Sequence, residues 1–490
     1  MSIFRQKVLS GLSWSVLGRG FNQVVTVGIG ILLARLLSPE VFGLLGMVVI
    51  FTGFANLFNG LGLGAAIIQS DDITEAHLSS IFWLNVGCGI GLFAFFVVAA
   101  PWIADFYGEP MLVSLTSVLA FQFVIGSINS VHETLFRKAV DFRPIALISI
   151  GTTVVSGAVG VGMALSGYGV WSLVGKSLTG SVTGTVAYWI VSPWRPSLRF
   201  DWGATKELLG FSLNLVGEQV LNYWVRRVDD LLIGKIIGPA ALGLYTKAYG
   251  LMLMPLNQVS RVISQVLFPS LSTIKNDPSR VKRLYLRAAQ TVALITFPMM
   301  LGLLATSETV VLAVLGKQWE RMVPILRTFC VLGLAQSVGA LIGNLFKSQG
   351  RADLMLRLGV FVKLWMIGAI IIGIQWGVMG VTVCYTFASL VALYPETRYG
   401  GKLVGLSFKE LISSLAGIFS CAAFMGICVY TLGITLPSDW PHWLQLLTQV
   451  SSGIAIYWGL VHGFGLQAYR ETTDLLLEQW QQRTASGTAS

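Results

Sequence analysis

Apolar runs of about twenty residues follow one another along the chain, each broken by a short charged or turn-rich stretch. A helix needs about 20 mostly apolar residues to cross the hydrocarbon of a bilayer. The pattern therefore predicts an all-α integral membrane protein with about fourteen spans. The first six cover residues 13–34, 42–69, 79–100, 111–132, 145–166 and 169–191. The next six cover 208–237, 241–272, 288–306, 322–345, 359–377 and 379–395, and the last two 410–434 and 443–466. The stretches between them are short. The longest on one side, around Pro101–Pro110, Ser307–Arg321 and Leu436–Trp443, leave no room for a separate soluble domain.

The two halves resemble each other. Ala34-Arg35-Leu36-Leu37-Ser38-Pro39 with Phe42-Gly43-Leu44 lines up with Gly234-Lys235-Ile236-Ile237-Gly238-Pro239 and Leu242-Gly243-Leu244. Gly11, Ser13 and Gly18 match Gly210, Ser212 and Gly217. Leu135-Phe136-Arg137 matches Leu345-Phe346-Lys347, and the Gly167–Val170 turn resembles Gly377–Val381. Spans 1–6 and 7–12 read as parallel repeats, the arrangement in which transporters place substrate between two bundles. The expected organisation is a six-helix bundle over residues 1–200, a second over 201–400, two added helices over 401–470 and a cytoplasmic tail over 471–490.

Composition agrees: 54% of the 490 residues are hydrophobic and only 11% charged, against roughly 25% charged in a soluble domain. The net charge of +10 would point to nucleic acid in a soluble protein, but here loop position accounts for it and no nucleic-acid partner is expected. With the N-terminus inside, 21 Lys and Arg fall in cytoplasmic segments and 4 on the other side. The positive-inside rule then puts both termini in the cytoplasm. The acidic stretch from Ser70 to His77 lies on the same inner side, where acidic residues count little. The run from Trp14 is followed by no small-residue cleavage site and reads as a span, not a removable leader.

Charges inside spans are the candidate chemistry. Each costs about 2.5–3.5 kcal/mol near the bilayer centre on insertion scales, so it must face water, a partner or a substrate. Lys176, Lys247 and Arg327 lie within about two turns of a span end, where a long side chain can snorkel; Lys363 is similar at an inner end. Arg19, Glu218, Arg226, Arg227 and Arg261 lie deeper. On span 1, Arg19, Asn22, Gln23 and Thr26 share one helical face; on span 7, Asn214, Glu218, Asn222, Arg226 and Asp229 form another polar stripe. Arg226 and Arg227 stand at pairing distance along the chain from Asp229 and Asp230. These four either neutralise one another or form a proton or cation site beside an anion site, with Glu218 a second proton carrier. Arg19 and Arg261 have no acid at helical spacing on their own spans. A guanidinium fork suits a diphosphate through paired hydrogen bonds, so Arg19, Arg226, Arg227, Lys247 and Arg261 are the candidate anion-binding residues, and Asn22, Gln23, Asn214 and Asn222 the polar lining.

The five cysteines fall inside apolar runs and read as small buried apolar residues. The four histidines, His77, His132, His442 and His462, fall in loops or at span ends, none at metal-ligand spacing. No phosphate-cradling Gly-rich loop is present, so neither a metal nor another cofactor is expected, and a built-in ATPase is excluded.

Three stretches carry a resemblance: Ala34–Met47 (ARLLSPEVFGLLGM), Gly62–Gln69 (GLGAAIIQ) and Val228–Met254 (VDDLLIGKIIGPAALGLYTKAYGLMLM), with the turn Ser348–Leu354. Over roughly residues 5–430 the chain resembles the polysaccharide transporter family of the MOP superfamily, nearest its Wzx-type exporters of colanic-acid-like and succinoglycan-like polysaccharides. The resemblance implies a two-bundle fold related to the lipid II flippase and to drug/cation antiporters. It also implies flipping of an undecaprenyl-diphosphate-linked oligosaccharide across the bacterial inner membrane, with membrane lipids and polysaccharide polymerase machinery as partners. A cationic cavity lined by spans 1, 2, 7 and 8 is implied too. Arg19, Arg226 or Arg227, Lys247 and Arg261 match it by span, whereas span 2 supplies no Arg or Lys. A drug or cation antiporter is a rival reading that eight basic against three acidic intramembrane residues disfavours. A membrane polymerase or ligase is another, and it would be expected to carry catalytic residues in a large outer loop.

Overall fold

The computed structural model describes residues 2–58, 63–69, 73–203, 220, 223–224, 226–465 and 469, with the backbone alone at 2–17, 65–66 and 261. Among the described residues the chain is all helical, without strands. Eight helical stretches there are long and apolar enough to cross a membrane, and a shorter apolar helix covers Pro39–Ala55. Large apolar side chains face outward: Ile190 is 75% exposed, and Trp102 and Leu356 are each 70% exposed. Outward apolar surface on long apolar helices requires lipid as the solvent.

Two compact units divide the chain, Met1–Gly243 and Leu244–Ser490. The first contains α1 (Ser2–Leu36), α2 (Pro39–Ala55), α3 (Leu63–Gln69), α4 (Glu75–Tyr107), α5 (Met111–Lys138), α6 (Phe142–Leu165), α7 (Trp171–Val191) and α8 (Val228–Ile236). In it α4 packs on α5, α5 on α7, α7 on α6 and α6 on α1. The second unit takes most of α9 (Pro239–Thr273) and all of α10 (Pro278–Ala305), α11 (Val323–Ser348), α12 (Ala352–Gly373), α13 (Gly377–Lys402), α14 (Phe408–Thr435) and α15 (His442–Gly463). There α10 packs on α11 and α14, and α13 on α11 and α12. Its core joins Tyr285, Val292 and Phe297 of α10 to Leu341 and Phe346 of α11 and to Leu411, Leu415 and Ile418 of α14.

The matching motifs of the two halves meet inside the first unit. A Cβ built on Gly43 would fall 1.7 Å from the carbonyl oxygen of Pro239, and one on Gly243 would fall 1.9 Å from that of Pro39. The start of α2 and the start of α9 therefore cross backbone to backbone. Glycine is required at both positions because nothing larger fits between the two helix starts.

The second matching motif forms the turns after α5 and α11. Asp141 N–H donates to the Phe136 carbonyl at 3.0 Å, and Arg351 N–H donates to that of Phe346 at 3.0 Å. Both turns need a residue in the left-handed region. The second uses Gly350 at φ 69°, whereas the first forces Val140 to φ 56°. A β-branched residue there is strained.

Several expectations change. Pro101 lies inside α4, which continues to Tyr107 and ends at Gly108 with φ 74°, so the connector to α5 is only three residues, not Pro101–Pro110. Proline is tolerated within such helices because neighbouring helices, Ser and Thr side chains and local backbone adjustments re-satisfy the freed backbone groups. The expected loop Ser307–Arg321 is folded: a helical turn at Ser307–Val310, a π-helical turn at Val311–Leu315 and a 3₁₀ turn at Lys317–Met322, with Trp319 fully buried. His132 lies within α5, fully buried, its ring 4.8 Å from that of Trp189 and 5.2 Å from that of Trp194. The cysteines are free thiols, Cys330 and Cys421 buried but Cys88, Cys384 and Cys428 only partly so.

After α7 the chain runs extended along the start of α4. Ser197 N–H donates to Ser79 Oγ at 2.9 Å, and Asp201 N–H donates to Ser80 Oγ at 2.7 Å. Trp83 Nε1 donates to the Ser197 carbonyl at 2.8 Å. This explains two fully buried serines in an apolar helix: each is satisfied by the strap it receives.

Candidate anion-binding site

The first unit holds a cavity of about 270 Å³ among α1, α5 and α6. Gly18 lets α1 approach α6 closely, since a Cβ there would fall 2.7 Å from Ala146 Cβ. That approach carries the next two polar residues of α1 over α6. Arg19 and Asn22 line the cavity, with Ser149 of α6 and Arg137 from the last turn of α5. Asn22 Nδ2 donates to Ser149 Oγ at 3.1 Å, while Asn22 Oδ1 is buried without a partner. Arg137 is aimed by Glu133 one turn earlier, its Nε donating to Oε1 at 3.0 Å. Phe142, Ile145 and Ala146 supply the apolar wall.

Two guanidiniums, an amide and a hydroxyl around one apolar-backed cavity present donors of the kind that suit an anionic group with several oxygens. Arg19 and Asn22, three residues apart on α1, both line the cavity. Gln23, on the neighbouring row, is exposed. Sequence reasoning missed Arg137, counted as a loop cation, and Ser149. The available signal was the Leu135-Phe136-Arg137 match to Leu345-Phe346-Lys347.

A second polar cluster lies at the start of α8. Arg227 Nη1 donates to Asp230 Oδ2 at 2.8 Å, and Asp230 is 8% exposed. The Arg227 guanidinium also lies 6.0 Å from the centre of the Tyr223 ring. Tyr223 donates through its hydroxyl to the Ile50 carbonyl at 2.7 Å, and its neighbour Trp224 packs on Phe51 and Phe54 of α2. Of the four charges expected to interact here, Arg227 forms an ion pair with Asp230; Arg226 is exposed and Asp229 half-buried. None of the four lines the cavity of Arg19. Lys247 is half-buried on α9 in the second unit. Arg261 lies on α9 with only its backbone described, and Asn214, Glu218 and Asn222 lie outside the described residues. Among the described residues no group of acidic, Cys and His side chains is arranged to hold a metal.

A family profile, Polysacc_synt_3, described as polysaccharide biosynthesis protein, matches residues 32–324, more than half of the chain. The lipopolysaccharide biosynthesis protein WzxC of Escherichia coli (strain K12) is 28% identical over 444 residues, 88% of this chain and 89% of that protein. The teichuronic acid biosynthesis protein TuaB of Bacillus subtilis (strain 168) is 28% identical over 488 residues, 98% of this chain and 99% of that one. Among solved structures, the lipid II flippase MurJ in an inward closed conformation superposes with a TM-score of 0.74 at 17% identity, over 94% of this chain and all of that one. An inward-facing multidrug resistance MATE transporter of the MOP superfamily gives 0.63 at 17% identity, over 78% and 94%. At that identity the two structures speak to the fold, which is the MurJ and MATE fold.

Proposed function

The chain belongs to the polysaccharide biosynthesis protein family, and from that premise we propose that it flips a lipid-linked oligosaccharide across the bacterial cytoplasmic membrane for assembly of a surface polysaccharide. It is a multi-pass membrane transporter and not an enzyme; a relative 27% identical over 325 residues, 65% of each chain, is named the succinoglycan biosynthesis transport protein ExoT, of Rhizobium meliloti (strain 1021). The observation that carries the anionic cargo is the pair of guanidiniums, Arg19 and Arg137, on one cavity floored by Asn22 and Ser149. A diphosphate head group moved through a low-dielectric region needs fixed positive charge beside it.

In this reading both termini face the cytoplasm, and fourteen spans form two six-helix bundles followed by two further helices. The cargo is an undecaprenyl-diphosphate-linked oligosaccharide whose lipid tail stays in the bilayer while the head crosses by alternating access. Arg19 and Arg137 contact the diphosphate, Arg226, Arg227, Lys247 and Arg261 are further anion-binding residues, and Asp229, Asp230 or Glu218 couple the cycle to an ion gradient. A cationic cargo is disfavoured because the acid beside the cavity, Glu133, is already bound to Arg137.

Reconstitution in liposomes with a fluorescent polyprenyl-diphosphate oligosaccharide tests the proposal by leaflet exchange, with and without proton or sodium gradients. Protein-dependent exchange is expected, slowed about tenfold or more in Arg19→Gln and in Arg137→Gln, the loss of one charge-assisted hydrogen bond of about 1.5–3 kcal/mol. Absence of exchange by the wild-type protein would sink the proposal. Exchange in Arg261→Ala at the wild-type rate would remove that residue from the route.

A further inference from the structure

The second unit contains a groove that the transport reading does not use. It holds about 440 Å³ between α11 and α13 and closes against the end of α10. Its walls are apolar: Val331 of α11 faces Val383, Phe387 and Leu390 of α13. Phe387 is 63% exposed, Val383 48% and Leu390 42%, so the groove opens along the outer surface of the unit. From Val383 to Leu390 the wall runs about 10 Å at the helical rise.

Two polar groups break this apolar lining. Arg327 lies one turn inside α11. Its Nε donates to Ser307 Oγ at 2.8 Å, and Ser307 is fully buried, so the guanidinium is anchored at the groove. Among the described residues its one ion pair, with Glu308, is long at 3.4 Å. A guanidinium has five N–H donors, and most of its fork is left for an acceptor in the groove. Thr386 is the second group. It is 5% exposed and lines the groove, yet its hydroxyl is buried with no partner. Thr382, one turn earlier, instead donates to the Val378 carbonyl at 2.7 Å. A buried hydroxyl in an apolar wall calls for an acceptor.

A fixed cation at one end, a hydroxyl in want of an acceptor, and an apolar trough open to the side match one chemistry. We propose that the groove holds an anionic phospholipid as a resident. The phosphate lies on Arg327, an ester carbonyl accepts from Thr386 Oγ1, and one acyl chain lies along Val331, Val383, Phe387 and Leu390. The cationic end selects an anionic head, and the apolar trough of about 440 Å³ takes the chain. This lipid is distinct from the cargo, and the assignment stands independently of what the protein transports.

Native mass spectrometry of the purified full-length protein tests this, with phosphatidylglycerol and phosphatidylcholine of identical chains as probes. The wild-type protein should retain phosphatidylglycerol about tenfold more strongly than phosphatidylcholine, and Arg327→Gln should abolish that preference. Thr386→Val, a near-isosteric change, should weaken both lipids alike. Val383→Trp, at a half-exposed position that accommodates the ring, should displace both. Inorganic phosphate should not compete. An unchanged preference in Arg327→Gln, or retention unaffected by Val383→Trp, would overturn the proposal. So would displacement by inorganic phosphate, or by a polyprenyl phosphate that binds more tightly than phosphatidylglycerol.

Discussion

Substituting Gly43 by Ala inserts one methyl group where the start of α2 crosses the start of α9. The new Cβ would stand 1.7 Å from Pro239 O, 2.4 Å from its carbonyl carbon and 2.9 Å from its Cα. Real Cβ atoms essentially never approach within 3.0 Å, so the two helix starts must separate by at least 1.3 Å, the difference between 3.0 and 1.7 Å. The obstacle is backbone, which cannot rotate aside as a side chain can. Overpacking of this kind costs about 1–3 kcal/mol and occasionally more, and alanine's better helix propensity returns about 1 kcal/mol. A net loss near the upper end, about 2 kcal/mol, lowers the melting temperature by about 4–8 °C if the first unit behaves as a domain of that size. Gly243→Ala meets Pro39 O at 1.9 Å and should cost a similar amount. The double substitution should cost less than the sum, because one separation of the helices relieves both clashes. Gly28→Ala and Gly30→Ala in α1 meet nothing within 4 Å and serve as neutral or stabilising controls. The assay is the fraction of monodisperse protein surviving a temperature series in detergent. Equal melting of Gly43→Ala and the controls, or strict additivity in the double variant, would refute the crossing geometry.

Two further outcomes follow from the first unit. Arg227→Ala leaves Asp230, 8% exposed, with its carboxylate unpaired; since Arg227 is itself 42% exposed, the loss should be about 1–3 kcal/mol, below the range for a fully buried pair. Asp230→Asn in the same chain should restore most of the lost melting temperature, and failure to do so would mean that the pair is not what holds α8. Val140→Gly should stabilise by about 1 kcal/mol, because the equivalent turn already uses Gly350 at φ 69° and a left-handed β-branched residue costs roughly that much or more. A drop in melting temperature for Val140→Gly would show that its side-chain packing outweighs the backbone strain.

Hydrophobic runs located the helices closely where lipid is the only solvent. The runs 241–272 and 322–345 correspond to α9 at Pro239–Thr273 and α11 at Val323–Ser348. They failed at Pro101, where a proline reads as a boundary in water yet continues a helix in hydrocarbon. The polar face of span 1 was legible because Arg19 and Asn22 stand three residues apart, a spacing that fixes a helical face. Arg137 was not, because position in a span cannot tell a cation facing cytoplasm from one turned into a cavity; that needed α6 and the close approach at Gly18. Spacing allowed two basic and two acidic residues to pair at the start of α8, and only the helix start at Val228 settles that Arg227 binds Asp230. The reciprocal glycines of the repeat were visible as a match, but not that they touch each other's partner prolines, since contact is a property of the folded chain.

The role of Arg137 can be separated from its charge through Glu133. If Arg137 serves only to offset that carboxylate, removing both leaves the cavity with the positive charge of Arg19 and restores the original balance. If its fork contacts the diphosphate, as its place on the cavity lining implies, the balance is restored but the hydrogen bonds are not. Glu133→Gln alone frees the Arg137 Nε and Nη2 donors that Glu133 now occupies and should leave exchange at or above the wild-type rate. Glu133→Gln with Arg137→Gln should then remain about tenfold below wild type, as Arg137→Gln does. Wild-type exchange in that double variant would reduce Arg137 to a counter-charge and leave Arg19 as the cation that meets the cargo.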